Sequence, residues 1–199
     1  ARDRAAKELA GEDGVTNIDK SSPTGKRSYR DAPATSFVNN ILKVLEANKV
    51  SAEVTDEIRR AFGLGMRIVP MSNDPVTTMV HLAADNSVVS FQEYFVKLRH
   101  DVAVKGIELR GIESAAFIDP SLITDADLVV IAPSNPIVSI GPILALAGVR
   151  TALEQRRSSV VGVSPIVAGS ALKGPADRML TELGHEASVV GVARLYAPF

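Results

Sequence analysis

The chain has 199 residues, of which 46% are hydrophobic, and its 22 Lys and Arg residues nearly balance its 23 Asp and Glu residues. This hydrophobic content is sufficient for one domain with a sizeable core, and the near-neutral charge argues against a nucleic-acid partner, which usually requires a basic excess. The absence of cysteine excludes disulfides and thiolate metal sites and favours a cytoplasmic location. No apolar stretch reaches the roughly 18 residues of a membrane span, and the first residues lack the apolar core of a secretory signal, so we expect no membrane association.

The first third of the sequence changes character twice. Residues 1–35 are polar and rich in Gly, Pro and Ser, so we expect an irregular or mobile segment there, followed by an α/β domain over residues 36–199. The apolar spacing over residues 36–47 and 51–62 predicts two antiparallel helices, which would form an N-terminal helical hairpin.

After Gly65 the pattern alternates between short strands and helices. The predicted strands cover residues 66–70, 77–83, 87–90, 105–109, 128–131, 160–166 and 188–192, and the predicted helices cover residues 91–100, 119–125, 148–157 and 177–183. The strands at 77–83 and 87–90 are expected to pair through a turn at Asp85-Asn86. The alternation as a whole favours a mostly parallel, helix-covered sheet of the Rossmann-like α/β class.

The segment Ala132–Pro142 is the most informative part of the chain. It reads A-P-S-N-P-I-V-S-I-G-P and follows the apolar run Leu128–Ile131, at the end of a predicted parallel strand where open α/β sheets bind ligands. Its polar and glycine residues are Ser134, Asn135, Ser139 and Gly141. A helix is predicted to start near Ile140 or Pro142, and its first amides could face an anion. Because the loop has no acid, base or cysteine, we expect it to hold a phosphate rather than to break a bond.

A second loop of similar design follows the next apolar strand. It begins at Ser164 and continues to Lys173 and Gly174 before Pro175. Glycine and proline at a helix start suit an anion-binding N-terminus, and Lys173 would supply the positive charge that a diphosphate needs. Ordinary turns that leave buried strands have the same composition, so the pattern alone leaves both interpretations open.

Three further polar residues are candidates for ligand contact. Asp74, in the predicted turn Ser72–Pro75, could coordinate Mg²⁺ through a carboxylate oxygen or could hydrogen-bond its own turn. Gln92 and Glu93 open the helix predicted from Phe91, where Glu93 could also complement the helix dipole. The three histidines lack metal-ligand spacing. The absence of a Walker motif and of G-x-G-x-x-G excludes the usual P-loop kinases and Rossmann dehydrogenases.

Several blocks together resemble one family. Residues Ile131–Leu144 resemble the signature of the 2-phospho-L-lactate transferase family, which acts in biosynthesis of the deazaflavin coenzyme F420. The segments Val163–Gly169 and Ala171–Ala176 match its next block in order and distance. The remaining matches are Ser51–Thr55, Pro70–Val76, Phe91–Val96, Leu183–Ser188 and Gly191–Ala193.

The resemblance implies a Mg²⁺-dependent transferase. Its donor is a guanosine diphosphate conjugate of a three-carbon acid, either 2-phospholactate or phosphoenolpyruvate, its acceptor is the deazaflavin alcohol Fo, and GMP is released. Such a reaction depends on positioning and charge neutralisation rather than on a covalent intermediate. Under this interpretation Asp74 would bind the metal, Gln92 and Glu93 would face the acceptor, and the donor phosphates would be held by Ser134, Asn135, Ser139, Gly141, Ser164, Lys173 and Gly174.

One departure from the family pattern is clear. The Gly-rich nucleotide loop and the paired aspartates with which the family begins are not found in residues 1–35, so we expect a partial member of the family, incomplete at both ends. A non-catalytic regulator of related fold that binds a sugar nucleotide is the alternative function, and a fragment that folds only with a partner or with its missing segments is a third. Apolar helices such as 140–156 could serve a homodimer interface or the core equally well.

Overall fold

The computed structural model describes residues 51–171 and 174–198. The segment predicted to be irregular, the predicted helix at 36–47, and Lys173 therefore lie outside the described residues. The chain divides into one unit up to Pro70 and a second unit from Met71 onward. The two units are described separately.

The described part of the first unit contains helix α1 (Ser51–Ala61), which confirms the helix predicted over 51–62. Asp56 accepts a hydrogen bond from Arg59 at 2.7 Å and pairs with Arg60 one turn later, and these contacts lower the pKa of the Asp56 carboxyl. The strand predicted at 66–70 was wrong, because these residues pair with no strand in the described part of the chain.

The second unit opens with an antiparallel sheet of strands β1 (Thr77–Leu82), β2 (Val88–Ser90) and β3 (Val104–Arg110) in the order β2-β1-β3. Val80 lies at its centre, opposite Val89 on one side and Ile107 on the other. The predicted hairpin is confirmed, and its turn is fixed by a hydrogen bond from the Ser87 amide to the Asp85 carboxylate at 2.9 Å.

Parallel pairing in the described residues is confined to strands β4 (Val129–Ile131) and β5 (Val160–Gly162). The prediction of a mostly parallel sheet is therefore corrected to a mixed α/β arrangement. The five-residue connection between β1 and β2 forms the predicted hairpin, because parallel strands need a crossover of a dozen or more residues. Strand β3 then pairs with the other edge of β1, also in the antiparallel direction.

The strand predicted over residues 160–166 also ends early, at Gly162. Ser164-Pro165 interrupts it, and the chain then forms a separate antiparallel hairpin of β6 (Ile166–Val167) and β7 (Ser170–Ala171). Ala168 and Gly169 connect these strands, and both have positive φ, +50° and +82°. This is the backbone of a two-residue I′ turn, in which Ala168 is the unusual residue.

The helical segments of the second unit fill the spaces between strands. They are a π-helical turn at Glu93–Lys97, a 3₁₀ turn at Ile112–Ser114, α2 (Ser121–Thr124), a π-helical turn at Pro136–Ile140, α3 (Gly141–Ala145), α4 (Val149–Gln155), a 3₁₀ turn at Arg157–Ser159, α5 (Ala176–Glu182) and α6 (Val189–Tyr196). No single helix of the described residues is long and apolar enough to cross a membrane, although the bent pair Pro136–Ala145 and Val149–Gln155 reaches that length and composition when taken together.

Helix α6 replaces the strand predicted at 188–192. The β-branched residues suggested a strand, but Ser188 caps a helix by accepting the Gly191 amide at 3.0 Å. Val192 and Tyr196, four residues apart, are then buried on one helical face. Burial of this face overrides the β-propensity of the sequence.

Two buried clusters form the core of the second unit. The larger includes Ile131, Val149, Ile166, Leu180 and Val192. The smaller one, which we call the Met179 cluster, consists of Val80, Leu82, Tyr94, Val104 and Met179. Helix α5 contributes Leu180 to the first and Met179 to the second, so this helix joins the antiparallel sheet to the parallel pair.

Candidate phosphate-binding site

The two predicted loops start side by side. Strands β4 and β5 run parallel, so their carboxyl ends lie at the same edge. The Val163 amide donates to the Ile131 carbonyl at 3.0 Å, which extends the pairing to the point where both loops begin. Ser134 and Ser164 thus follow neighbouring strand ends, where α/β sheets bind ligands.

Asn135 shapes the first loop from inside. Its Oδ1 accepts hydrogen bonds from the amides of Ile137 and Val138 at 2.9 and 3.3 Å, and its Nδ2 donates to Sδ of Met179 at 3.5 Å. The side chain is therefore the N-cap of the π-helical turn, a role that its residue type favours. A phosphate could still accept from the second N–H of Nδ2, since the amide nitrogen carries two donors.

Ser134 and Ser139 are more available. Ser134 is half-buried and Ser139 is exposed, and neither hydroxyl makes a hydrogen bond within the described part of the chain. Gly141 has an ordinary helical φ of −50°, and a Cβ there would lie 3.2 Å from the Pro136 carbonyl oxygen. Close packing against that carbonyl is thus one reason for glycine at position 141.

Ser164 is engaged within its own turn. Its Oγ accepts the Ile166 amide at 3.0 Å and donates to the Ile166 carbonyl at 3.3 Å. This arrangement turns the chain from β5 into β6 and explains why the predicted strand ends early.

The second loop reaches helix α5 through Gly174 and the buried Pro175. Gly174 has a φ of +67°, a conformation that favours glycine. In the first turn of α5 the Asp177 carboxylate accepts the amides of Ala171 at 3.2 Å and Arg178 at 2.8 Å. A carboxylate already complements this helix start, so the positive charge predicted for the loop depends on Lys173, which lies outside the described residues.

Asp74 hydrogen-bonds its own turn, as one of the two interpretations expected. Its amide donates to Ser72 Oγ at 3.0 Å, the Ser72 hydroxyl approaches Asp74 Oδ2 at 3.4 Å, and the same oxygen accepts the Ala116 amide at 2.9 Å. Residues 51–171 and 174–198 contain no group of three or more His, Cys, Asp or Glu side chains that could hold a metal. A Mg²⁺ ion held by Asp74 would therefore have one carboxylate ligand there and would complete its shell with other oxygens, such as those of water or substrate phosphates.

Gln92 and Glu93 begin the other π-helical turn. Gln92 is exposed, whereas the Glu93 amide donates to Ser90 Oγ at 3.1 Å and its carboxylate accepts Lys97 Nζ at 2.7 Å. The Glu93 carboxylate raises the pKa of the Lys97 ammonium. Glu93 is thus held in an exposed ion pair with Lys97, which lies one helical turn later.

An aromatic group extends this turn toward the second loop. The rings of Phe91 and Phe95 stack at 5.6 Å, and His100 meets Phe95 edge-on at 5.1 Å. Phe95 is 42% exposed, and its ring lies 4.0 Å from where a Cβ of Gly174 would be. The aromatic turn and the Gly174 loop are therefore neighbours.

Three of the predicted regions meet around helix α5. Asn135 contacts Met179, Val138 packs against the Met179 cluster, and Phe95, two residues after Glu93, lies beside Gly174. Both π-helical turns of the described residues belong to this group, and such turns are frequent at functional sites. The hydrogen bonds of Asp74, by contrast, join it to Ser72 and Ala116 rather than to this group.

Sequence reasoning missed two residues of this arrangement, Asp177 and Met179. Asp177 was visible as an acid in the first turn of a predicted helix, but the distant amide of Ala171 that it binds was not. Met179 carries no sequence signal beyond an apolar helix position.

A cleft of about 440 Å³ lies apart from the predicted site residues. It is lined by Gly184, His185, Glu186, Gly191, Arg194 and Leu195.

Comparison with known proteins gives the family. The family model described as 2-phospho-L-lactate transferase CofD matches residues 23–195. The chain belongs to the 2-phospho-L-lactate transferase family. This confirms the resemblance inferred from residues Ile131–Leu144 and the blocks that follow them.

Among the curated relatives is the 2-phospho-L-lactate transferase of Halobacterium salinarum, which is 40% identical over 154 residues, covering 77% of this chain and 45% of the relative. The phosphoenolpyruvate transferase of Streptomyces griseus subsp. griseus is 39% identical over 166 residues, covering 80% and 52%. The chain spans about half the length of the curated relatives it matches. A crystal structure of a UPF0052 family member from Bacillus halodurans aligns with a TM-score of 0.45 at 18% identity, covering 59% of this chain and 38% of that one.

Proposed function

We propose that this chain carries part of a cytoplasmic, Mg²⁺-dependent transferase of coenzyme F420 biosynthesis. It would move a three-carbon phospho-acid from its guanosine diphosphate conjugate to the hydroxyl of Fo, with release of GMP. Family membership supports the reaction class. The observation that supports the site is the adjacency of the two polar loops at the carboxyl edge of β4 and β5. We also propose that this pair belongs to a larger Rossmann-like sheet.

In the proposed reaction the Fo hydroxyl attacks the phosphorus that carries the acid. A new P–O bond forms, the P–O bond to GMP breaks, and the hydroxyl proton passes to solvent or to a base that we do not assign. The hydroxyls of Ser134 and Ser139 would donate to phosphate oxygens, and Lys173 with the backbone near Gly174 would add positive potential. Asn135 would act by holding this loop in shape.

The metal and acceptor assignments remain proposals of the same kind. Mg²⁺ would neutralise charge on the diphosphate when bound, with one ligand from Asp74. Gln92 and Glu93 would face the acceptor, because their turn adjoins the Gly174 loop through Phe95. The relatives are named for both 2-phospho-L-lactate and phosphoenolpyruvate transfer, and so either acid is a candidate.

The test combines binding with turnover. The 199-residue chain is titrated with GDP by calorimetry, and separately incubated with Fo, Mg²⁺ and each candidate donor while GMP release is followed by chromatography. We expect GDP binding, and GMP release that requires Fo. Absence of both would overturn the proposal, and GMP release that is independent of Fo would replace transfer by hydrolysis.

A further inference from the structure

We infer that Met179 is a positioning residue for the phosphate loop. Its sulfur accepts the side-chain amide of Asn135 and thereby fixes the cap that orients Ser134 and Ser139. This inference rests on the proposed function, because it assigns Met179 to that same site.

The first argument concerns the two ends of the Asn135 amide. Oδ1 is bound by the amides of Ile137 and Val138, so a flipped side chain would place its N–H groups against those N–H donors. Nδ2 meets Met179 Sδ at 3.5 Å, and thioether sulfur is a weak hydrogen-bond acceptor. The amide is therefore held from both ends, and only one of its two orientations satisfies the turn.

The second argument concerns why methionine occupies position 179. The side chain is fully buried, and the other members of the Met179 cluster are Val80, Leu82, Val104 and Tyr94. Leucine would fill a similar volume in such surroundings at small cost. The property that leucine lacks is the sulfur acceptor, and this is the atom that faces Asn135.

The third argument is that Met179 connects the two loops. Its amide donates to the Pro175 carbonyl at 2.8 Å, so it lies one helical turn after the Gly174-Pro175 corner. Its sulfur reaches Asn135, 44 residues earlier in the chain. Met179 thus connects the helix that follows the second loop to the cap of the first loop.

The experiment is a double-mutant cycle in the 199-residue chain, with Met179→Leu, Asn135→Ser and the double variant. Serine keeps a capping oxygen but has no amide N–H to donate to sulfur. We expect Met179→Leu to weaken GDP affinity about three- to tenfold, the loss expected for one modest hydrogen bond, and to have no further effect in the Asn135→Ser background. Met79→Leu, the same change on the outer face of β1, is the matched control and should leave GDP affinity unchanged.

A second readout makes the inference independent of nucleotide binding. In ¹⁵N NMR spectra Met179→Leu should shift the side-chain amide signals of Asn135 and the backbone amides of Ile137 and Val138, whereas Met79→Leu should not. Unshifted signals, or an affinity loss of equal size in both backgrounds, would overturn the inference. If the parent chain binds no GDP but the NMR shifts occur, the proposed function fails while the Met179–Asn135 contact is upheld.

Discussion

Arg178 and Glu182, one turn apart on α5, both bind the backbone at the start of β3. Arg178 Nη2 donates to the Val102 carbonyl at 2.6 Å, Glu182 Oε2 accepts the Val104 amide at 2.8 Å, and the two side chains bind each other at 2.7 Å. This arrangement ties the helix that follows the Gly174 loop to a strand more than 70 residues earlier in the chain. The position of the candidate site therefore depends on the antiparallel sheet.

Removing one member of this arrangement should be costly. In Glu182→Ala the amide of the buried Val104 loses its acceptor, and we expect the free energy of unfolding in urea to fall by about 1–3 kcal/mol. Lys97→Ala, which removes an exposed i,i+4 pair with Glu93, is the control and should lower the free energy of unfolding far less. Equal losses would show that the buried amide does not matter.

Gly191 is required by packing. A Cβ at this position would lie 1.9 Å from the Glu186 carbonyl oxygen, so Gly191→Ala must displace either α6 or the chain before it. We expect a loss of at least about 1–3 kcal/mol in the free energy of unfolding. At Gly106 the nearest atom to a new Cβ is 3.8 Å away. Gly106→Ala is therefore the control, and it should lower the free energy of unfolding far less than Gly191→Ala does. A comparable fall in both variants would contradict this account.

The two serines at the strand ends should behave differently. Ser134→Ala removes a hydroxyl that makes no hydrogen bond to the residues the structure describes, so we expect weaker GDP binding at unchanged stability. Ser164→Ala removes the hydroxyl that binds the amide and the carbonyl of Ile166, and should lower the free energy of unfolding by about 1 kcal/mol. Calorimetric titration and urea unfolding of both variants give the comparison. If Ser134→Ala keeps full GDP affinity, Ser134 does not contact the phosphates.

Alkaline pH should weaken the fold through Tyr196. Burial raises the pKa of its phenol from 10.0 to about 12, so between these values the unfolded chain loses a proton that the folded chain retains. The free energy of unfolding then falls as pH rises, by about 1.4 kcal/mol per pH unit from this group. Tyr196→Phe cannot titrate, and its stability should decline less than that of the parent over the same range. Parallel decline in both proteins would exclude Tyr196 as the cause.

The variant Asp74→Asn separates the proposed metal-binding role of Asp74 from its structural role. Asparagine keeps an oxygen for the Ala116 amide, so stability should change by no more than about 0.5 kcal/mol. If Asp74 binds Mg²⁺, the magnesium dependence of GDP affinity should weaken in this variant. Asp74→Ala is the comparison, since it loses both roles. Identical magnesium titrations of Asp74→Asn and the parent would remove Asp74 from the metal site.

Sequence patterns predicted elements whose signals are local. The hairpin of β1 and β2 followed from turn residues at Asp85-Asn86, and helix α5 followed from its apolar spacing and the preceding proline. The strand predicted at 188–192 was wrong because Ser188 caps a helix at this point, although the β-branched residues favour a strand. The antiparallel pairing of β3 with β1 was not predicted either, since it joins segments that are far apart in the sequence.

The candidate site was predictable in composition but not in detail. The sequence identified Ser134 and Asn135 as polar residues at a strand end, which is where they lie. It could not show whether Asn135 binds a phosphate or caps the turn, because one partner of the Asn135 side chain is Met179, a residue 44 positions away. Roles that depend on such distant contacts require the folded chain.

The hairpin turn at Ala168 offers a route to a sturdier protein. An alanine at a φ of +50° is in a backbone region that costs a non-glycine residue about 1 kcal/mol or more. Asparagine and glycine adopt this region more readily and are the residues preferred in such turns. Replacing Ala168 by either one should raise the melting temperature without any new contact. The natural sequence is therefore not the most stable one for this hairpin turn.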